Sequence, residues 1–193
     1  MSYKSYFQRI RGVVNGIVSL LDDKHYELVE NLWAELERKF GLKGIYITPF
    51  PHFSYQVAEH YEVELLESVL QRFALKSAKF KVKTTGLGIF TAAQPVLFIP
   101  VVRSPEITLF HQTLWLEISG VGSGIVAYYS AENWLPHITL AHGDIHQDNL
   151  PEIVRFLSER EFNWEIMVNN LSFIQYTGLK QELRFRFNFN NGF

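Results

Sequence analysis

The sequence contains no cysteine, no long hydrophobic run and no marked excess of charge of one sign. The absence of cysteine excludes disulfides, thiol catalysis and zinc sites built on thiolates. The longest apolar run, Val96–Val102, is far too short to span a bilayer. The first residues, MSYKSYFQRIRGVV, lack the uninterrupted apolar core of a signal peptide. These absences predict a soluble cytoplasmic protein without a membrane partner.

The charges nearly balance, with 18 Lys and Arg against 20 Asp and Glu, which gives a formal net charge of −2. No global basic field therefore exists to hold a long nucleic acid, and this favours small substrates. The length of 193 residues, 47% of them hydrophobic, is enough for a substantial core. We expect a single domain over residues 1–193, and we take a monomer as the default because the sequence does not determine the oligomeric state.

Helical and strand-like hydrophobic patterns alternate along the chain, which predicts an α+β fold. Helices are predicted over residues 24–40, 59–75, 106–119 and about 150–160. Strands are predicted over residues 12–21, 44–57, 79–90, 94–102, 163–176 and 181–190, with another around His137. Asp22 and Asp23 stand where the cap of the first helix belongs, and Gly41 follows its last residue. Ser104 and Pro105 cap the helix predicted from residue 106.

The second half of the chain repeats the order of elements in the first. His-bearing strands recur 85 residues apart, at His52 and His137, and tryptophans near two helix ends recur 82 apart, at Trp33 and Trp115. Repetition at a nearly constant spacing indicates an internal duplication. We therefore predict two α+β lobes related by a pseudo-twofold axis.

Two short motifs carry the residues most suited to chemistry. His52 precedes Ser54 and His137 precedes Thr139, each by two positions, so on a strand each pair projects from one face. The imidazole moves a proton near neutral pH, and the hydroxyl donates a hydrogen bond to an anionic oxygen. Two such pairs across a groove would surround one phosphate and cleave or transfer a phosphodiester by general acid–base catalysis without a metal cofactor.

A third match to the motif, His111 with Thr113, lies within a predicted helix. There, residues i and i+2 face about 200° apart, so this pair cannot hold one phosphate. We interpret it as a coincidence.

The two strand-borne motifs, each preceded by a proline, in a duplicated α+β chain of this length, resemble those of the two-histidine (2H) phosphoesterases, which include 2′-5′ RNA ligase-like proteins and 2′,3′-cyclic phosphodiesterases. The segment GLGIF, residues 86–90, is also similar to one found in that family. The resemblance implies antiparallel sheets with helices outside and a central groove. It implies His52 and His137 as the acid–base pair, Ser54 and Thr139 as phosphate ligands, and a nucleotide or short RNA as substrate.

Other interpretations of the same residues remain open. The two histidines could be core residues, and the groove could hold a nucleotide without turnover. His142, Asp144 and His146 alternate and could form the metal site of a hydrolase, although a polar turn is favoured.

Further side chains have a functional and an ordinary interpretation. Phe50 or Tyr46 could stack on a nucleobase if strand alternation continues through the prolines, although packing is the commoner role. Two sets of alternating basic residues could guide RNA phosphates or simply face solvent: Lys79, Lys81 and Lys83, and Arg184 and Arg186.

The expected pH dependence is a bell centred near about 6.5, the ordinary histidine value.

Overall fold

Four α-helices and eleven β-strands alternate along residues 15–190, the part of the chain that the computed structural model describes. The helices are α1 (Asp23–Phe40), α2 (Val63–Lys76), α3 (Pro105–Ile118) and α4 (Leu150–Ser158). The strands are β1 (Asn15–Leu20), β2 (His52–Ala58), β3 (His60–Tyr61), β4 (Phe80–Lys83), β5 (Gly88–Phe90), β6 (Val96–Pro100), β7 (Gly122–Ser123), β8 (His137–Ala141), β9 (Glu165–Val168), β10 (Asn170–Tyr176) and β11 (Gln181–Asn188). All pairs among these strands are antiparallel, and the predicted α+β class is confirmed.

The helix ends follow the local capping chemistry that the sequence predicts. The Asp22 carboxylate accepts a hydrogen bond from the backbone N–H of His25, and Gly41 ends α1 in the left-handed conformation with φ of 72°. Ser104 caps α3 in the same way, and Pro105 occupies its first turn, where a missing N–H has no cost.

Two β-layers organise the molecule, and each motif strand lies at the edge of one of them. The first is a four-stranded sheet in the order β11-β10-β1-β2. The second combines β5-β6-β8 with the pair β4-β9, which a bridge between Thr84 and Val101 connects to the end of β6. Within residues 15–190, strands β2 and β8 therefore each have one side without a neighbouring strand in their sheet.

The two halves of the sequence interleave in space. Strands β10 and β11 from the second half complete the sheet of β1 and β2 from the first half. Helix α1 packs against β8, and α3 packs against β2, so each motif strand contacts a helix from the other half. The arrangement is consistent with a duplication whose two copies exchange elements.

Several predicted boundaries are wrong for identifiable reasons. Residues 44–57 are not one strand: Gly44–Ile47 form a 3-10 turn, and β2 begins only at His52. Pro49 and Pro51 lack the N–H groups that a paired strand needs. Helix α2 begins at Val63 rather than at residue 59, because His60–Tyr61 pair with Gly122–Ser123 as β3 and β7.

Other elements are shorter or divided. The expected strands over 79–90 and 163–176 each divide in two, since their two parts pair with different partners. Helix α4 ends at Ser158. Residues 12–14 of the first predicted strand lie outside the described residues, as does the N-terminal segment considered as a signal peptide. One domain over 1–193 therefore stays a prediction.

The core fills the space between sheets and helices, and Trp134 within it is 1% exposed. No helix within residues 15–190 combines the length and apolar character that crossing a membrane would require.

Candidate active site

Strand β2 presents His52 and Ser54 on one face and apolar residues on the other. Phe53 and Tyr55 are buried in the core, with exposures of 1% and 0%, whereas His52 and Ser54 are half-buried. The period-2 alternation of a strand therefore directs the imidazole and the hydroxyl together away from the core.

Strand β8 repeats this arrangement. Ile138 and Leu140 are completely buried, and His137 and Thr139 are half-buried. Both strands thus place a histidine and a hydroxyl residue at the border between core and solvent.

The structure brings the two motifs into one site. Strands β2 and β8 contact each other although they belong to different sheets. The positive charge of His52 contributes to lowering the pKa of His137. The two imidazoles therefore interact electrostatically, and protonation of either one disfavours protonation of the other.

Both imidazoles are held by the same kind of contact. The Nδ1 atom of His52 lies 2.5 Å from the carbonyl oxygen of Phe50, and that of His137 lies 2.8 Å from the carbonyl oxygen of Leu135. A carbonyl oxygen only accepts hydrogen bonds, so each Nδ1 carries the proton. Each Nε2 is then the atom that remains available to give or take a proton.

The two histidines differ in their surroundings. Burial lowers the pKa of His52, and it lowers the pKa of His137 to about 4, with the charge of His52 as a further cause. The ring centroids of Phe90 and Phe98 lie 4.9 and 5.1 Å from that of His137. This apolar environment disfavours the imidazolium form of His137.

The two motif hydroxyls are available to a ligand. Neither Ser54 Oγ nor Thr139 Oγ1 has a hydrogen-bond partner in the protein, as far as residues 15–190 are concerned. A half-buried hydroxyl without a protein partner can donate to a phosphate oxygen without losing an internal bond.

Two tryptophans hold the backbone of these hydroxyl residues. The indole Nε1 of Trp134 donates to the carbonyl oxygen of Ser54 at 2.8 Å, and that of Trp33 donates to the carbonyl oxygen of Thr139 at 3.2 Å. Nothing in the sequence indicates these two bonds. They join residues 80 and 106 positions apart, and no local pattern reveals such a pairing.

The two candidate stacking residues do not lie on β2. Tyr46 belongs to the 3-10 turn and stands edge-on to Trp33, with ring centroids 6.4 Å apart. Phe50 packs against a small apolar cluster of Val18, Leu20 and Ile174. The alternation that placed both aromatics beside His52 is therefore wrong, because the prolines interrupt the strand. Base stacking by either residue stays a prediction.

The segment from His142 to His146 is a turn that fastens the end of β8 to the 3-10 turn at Gly44–Ile47. The Asp144 carboxylate accepts hydrogen bonds from the backbone N–H groups of Lys43 and Gly44, at 2.5 and 2.7 Å. Gly44 is required here, since a Cβ would lie 2.0 Å from the His142 carbonyl oxygen. Within residues 15–190, no three His, Asp or Glu side chains are grouped to hold a metal ion.

One of the alternating basic residues, Lys81, lies at the surface and pairs with an acidic residue. Lys81 forms an ion pair with Glu165 across β4 and β9, at 2.6 Å, and both side chains are at least half exposed. This contact favours the solvent-facing interpretation over a guide for RNA.

Comparisons with known proteins give a family and a fold for this chain. The family model described as the 2′-5′ RNA ligase superfamily matches residues 22–180. No curated protein matches the chain. Among solved structures, the protein TT0787 of Thermus thermophilus is 16% identical with a TM-score of 0.62, over 93% of this chain and 98% of that one.

Two further structures share the fold. One is described as a phosphoesterase, 12% identical with a TM-score of 0.56, over 93% of this chain and 99% of the other. The other is E. coli LigT complexed with NADP+, 13% identical with a TM-score of 0.53, over 93% and 98%. The family match confirms the resemblance drawn from the two motifs, and the solved structures confirm the fold.

Proposed function

Since the chain belongs to the 2′-5′ RNA ligase superfamily, we propose that it is a metal-independent phosphoesterase of the two-histidine kind. It cleaves, or in reverse ligates, 2′,3′-cyclic or 2′-5′ phosphodiesters of nucleotides or short RNA. The membership supports phosphoesterase or ligase chemistry, and the finer assignment rests on the site.

One observation carries the proposal: His52 and His137 project from two adjacent edge strands, each with Nδ1 bound to a backbone carbonyl. This leaves two Nε2 atoms, one on each motif, free for proton transfer. Two histidines in a single site supply both an acid and a base, which a phosphodiester cleavage requires.

The difference in surroundings supports one division of the two roles. His137, with the lower pKa, is neutral near neutral pH and accepts a proton from the attacking water at Nε2. The water oxygen bonds to phosphorus as the bond from phosphorus to the ribose oxygen breaks. His52, as imidazolium, gives its Nε2 proton to that leaving oxygen. In ligation the roles reverse.

The hydroxyls of Ser54 and Thr139 donate to the non-bridging phosphate oxygens. They stabilise charge that increases in the transition state, and they hold phosphorus in line with the two imidazoles. Threonine is commoner than serine in this motif of the two-histidine phosphoesterases, and Ser54 keeps the same hydroxyl group.

The small net charge favours a nucleotide or an RNA end over a long RNA. A monomer in the cytoplasm stays the expectation. The fold of a protein that has been solved with NADP+, E. coli LigT, is compatible with a nucleotide-binding groove.

Hydrolysis of a panel of 2′,3′-cyclic nucleotides and 2′-5′-linked dinucleotides, with chelator present, tests the proposal. We expect turnover by the wild type and a loss of about two orders of magnitude or more in both His52→Ala and His137→Ala. His146→Ala is the matched control, because this exposed histidine lies outside the two motifs but inside the alternative metal motif. It should keep full activity.

Other outcomes select the alternatives. Tight nucleotide binding without turnover would favour a binding module. Activity that the chelator abolishes and that depends on His146 would favour the metal-dependent hydrolase.

A further inference from the structure

We propose that Trp134 and Trp33 are positioning residues that hold the two phosphate-binding residues through their backbone carbonyls. The inference rests on the proposed function, because it assigns the purpose of the two indole bonds to phosphate binding at Ser54 and Thr139. Neither indole contacts the phosphate itself.

The free edges of β2 and β8 explain why such bonds are needed. Each motif strand is the last of its sheet within residues 15–190, so its outward carbonyls have no neighbouring strand to bind. A buried carbonyl without a partner is costly. On β2 the partner of Ser54 is Trp134, and on β8 the partner of Thr139 is Trp33.

Strand β2 also has an irregular pairing with β1 at Tyr55, the residue that follows Ser54. Register with β1 shifts between Ile17 and Val18, which leaves Tyr55 as the extra residue of a bulge. The carbonyl oxygen of Tyr55 lies 3.0 Å from the Nε2 atom of His111, which donates to it. Two successive carbonyls of β2 are therefore bound by side chains of the other half of the chain.

The indole of Trp134 is itself firmly held. It is 1% exposed, and the His111 ring stacks on it with centroids 3.9 Å apart and planes within 5°. The Arg103 guanidinium lies 5.9 Å from the indole centroid and donates to the Trp134 carbonyl oxygen. A rigid donor fixes the position of the carbonyl that it binds.

The position of the carbonyl affects the hydroxyl because both belong to one residue. Ser54 carries its side chain on the Cα bonded to the carbonyl carbon, so a shift of the strand at that carbonyl moves Cα and Oγ with it. A displacement of about 1 Å is enough to lose a large part of the catalytic advantage of an oriented group. The indole bond thus sets where the phosphate oxygens are held.

The chain contains a matched control. Trp164 also donates an indole hydrogen bond to a carbonyl, that of Glu161 at 3.1 Å, in a loop remote in sequence from either motif. Replacing it by Phe removes the same kind of bond. A general effect of losing a tryptophan would appear equally in Trp164→Phe.

The experiment is a double-mutant cycle on the full chain. Trp134→Phe removes the N–H and keeps an aromatic ring, and it is combined with Ser54→Ala. We expect Trp134→Phe to reduce kcat/KM about tenfold in the wild-type background and less than about twofold in Ser54→Ala, as coupled residues do. The acid and alkaline limbs of the pH profile of kcat/KM should not move, because the imidazoles keep their carbonyl partners. Trp164→Phe should be unchanged within about twofold.

A second double-mutant cycle, Trp33→Phe with Thr139→Ala, tests the same proposal independently. It provides the deciding result in the case that Trp134→Phe does not fold. Independent, multiplying effects in the cycle, or an equal loss in Trp164→Phe, would overturn the proposal. Affinity for inorganic phosphate, measured calorimetrically on the same variants, tests the positioning role of the tryptophans separately from the proposed phosphoesterase activity. If the wild type turns over no substrate, the proposed function fails, while weaker phosphate binding in Trp134→Phe would still support positioning and unchanged binding would refute it.

Discussion

The ring of Phe90 stands edge-on to the imidazole of His137, with centroids 4.9 Å apart and planes at 86°. Phe98 packs on the same imidazole, and the phenyl rings stack on each other at 3.9 Å. Among the described residues, no comparable ring contact surrounds His52. The two catalytic candidates thus have equivalent backbone anchors and unequal surroundings, and the charge of His52 is a further cause that lowers the pKa of His137.

The pH profile of kcat/KM should be a bell with its optimum on the acid side of 6.5. Activity rises as His137 loses its proton, at a pKa of about 4, and falls as His52 loses its proton, at a pKa below the ordinary 6.5. The centre near about 6.5, expected for unperturbed histidines, therefore moves to lower pH. A profile measured from about pH 4 to 9 checks this, and an optimum at about pH 7 or above would contradict it.

Removing the Phe90 ring should move one limb of that profile only. Phe90→Leu opens the surroundings of His137 to water, which raises its pKa toward the ordinary value, so the acid limb shifts to higher pH. The alkaline limb, which follows His52, should stay in place. Phe40→Leu is the control, since Phe40 packs on Phe156 away from both motifs. Equal shifts of both limbs would count against separate roles.

The motif hydroxyls should matter for activity and not for folding. Ser54→Ala and Thr139→Ala each remove a donor to the phosphate, and we expect losses of roughly ten- to a hundredfold in kcat/KM. Thr139→Ser keeps the donor and should retain most of the activity. Thr113→Ala is the control: this hydroxyl also follows a histidine by two positions, but it lies on α3 and donates to the carbonyl of Leu109. Loss of activity in that control would show that the effect is not specific.

Gly88 should not tolerate a side chain. A Cβ at this position would lie 2.3 Å from the Phe98 ring, which packs against His137. Gly88→Ala should therefore displace the ring, destabilise the fold by about 1–3 kcal/mol and reduce activity. Gly120→Ala, where nothing lies within 4 Å, should be nearly neutral. Thermal unfolding of both variants checks the difference, and equal melting temperatures would disprove the steric argument.

His111 should make stability depend on pH. Burial lowers its pKa to about 4 in the folded chain, whereas the unfolded value is near 6.5. The unfolded state therefore binds more protons in this window, so stability is full above about pH 6.5 and is lost as the pH falls toward about 4. His111→Phe should flatten the slope of the free energy of unfolding by up to about 1.4 kcal/mol per pH unit. Urea unfolding at several pH values, with exposed His146→Ala as control, tests this, and an unchanged slope in His111→Phe would contradict it.

Much of the fold followed from local pattern. Asp22, Gly41 and Ser104 act at helix ends through their own side-chain or backbone chemistry, so their positions could be predicted. The predicted ends of helices and strands were wrong where pairing with a segment distant in sequence determines them. The strand before His52 was predicted too long because its apolar pattern hid the effect of Pro49 and Pro51, and β3 exists only because β7 lies beside it.

The sequence by itself determined which residues are the candidates for the chemistry. Alternation along a strand is a local property, so His52 with Ser54 and His137 with Thr139 share a face wherever the strand lies. Only the tertiary structure decided that the two strands meet and that their carbonyls are bound by Trp134 and Trp33. It also decided that, among the described residues, phenyl rings surround one of the two histidines and not the other. These relationships join residues that are far apart in the chain, and they depend on packing between interleaved halves that no local periodicity encodes.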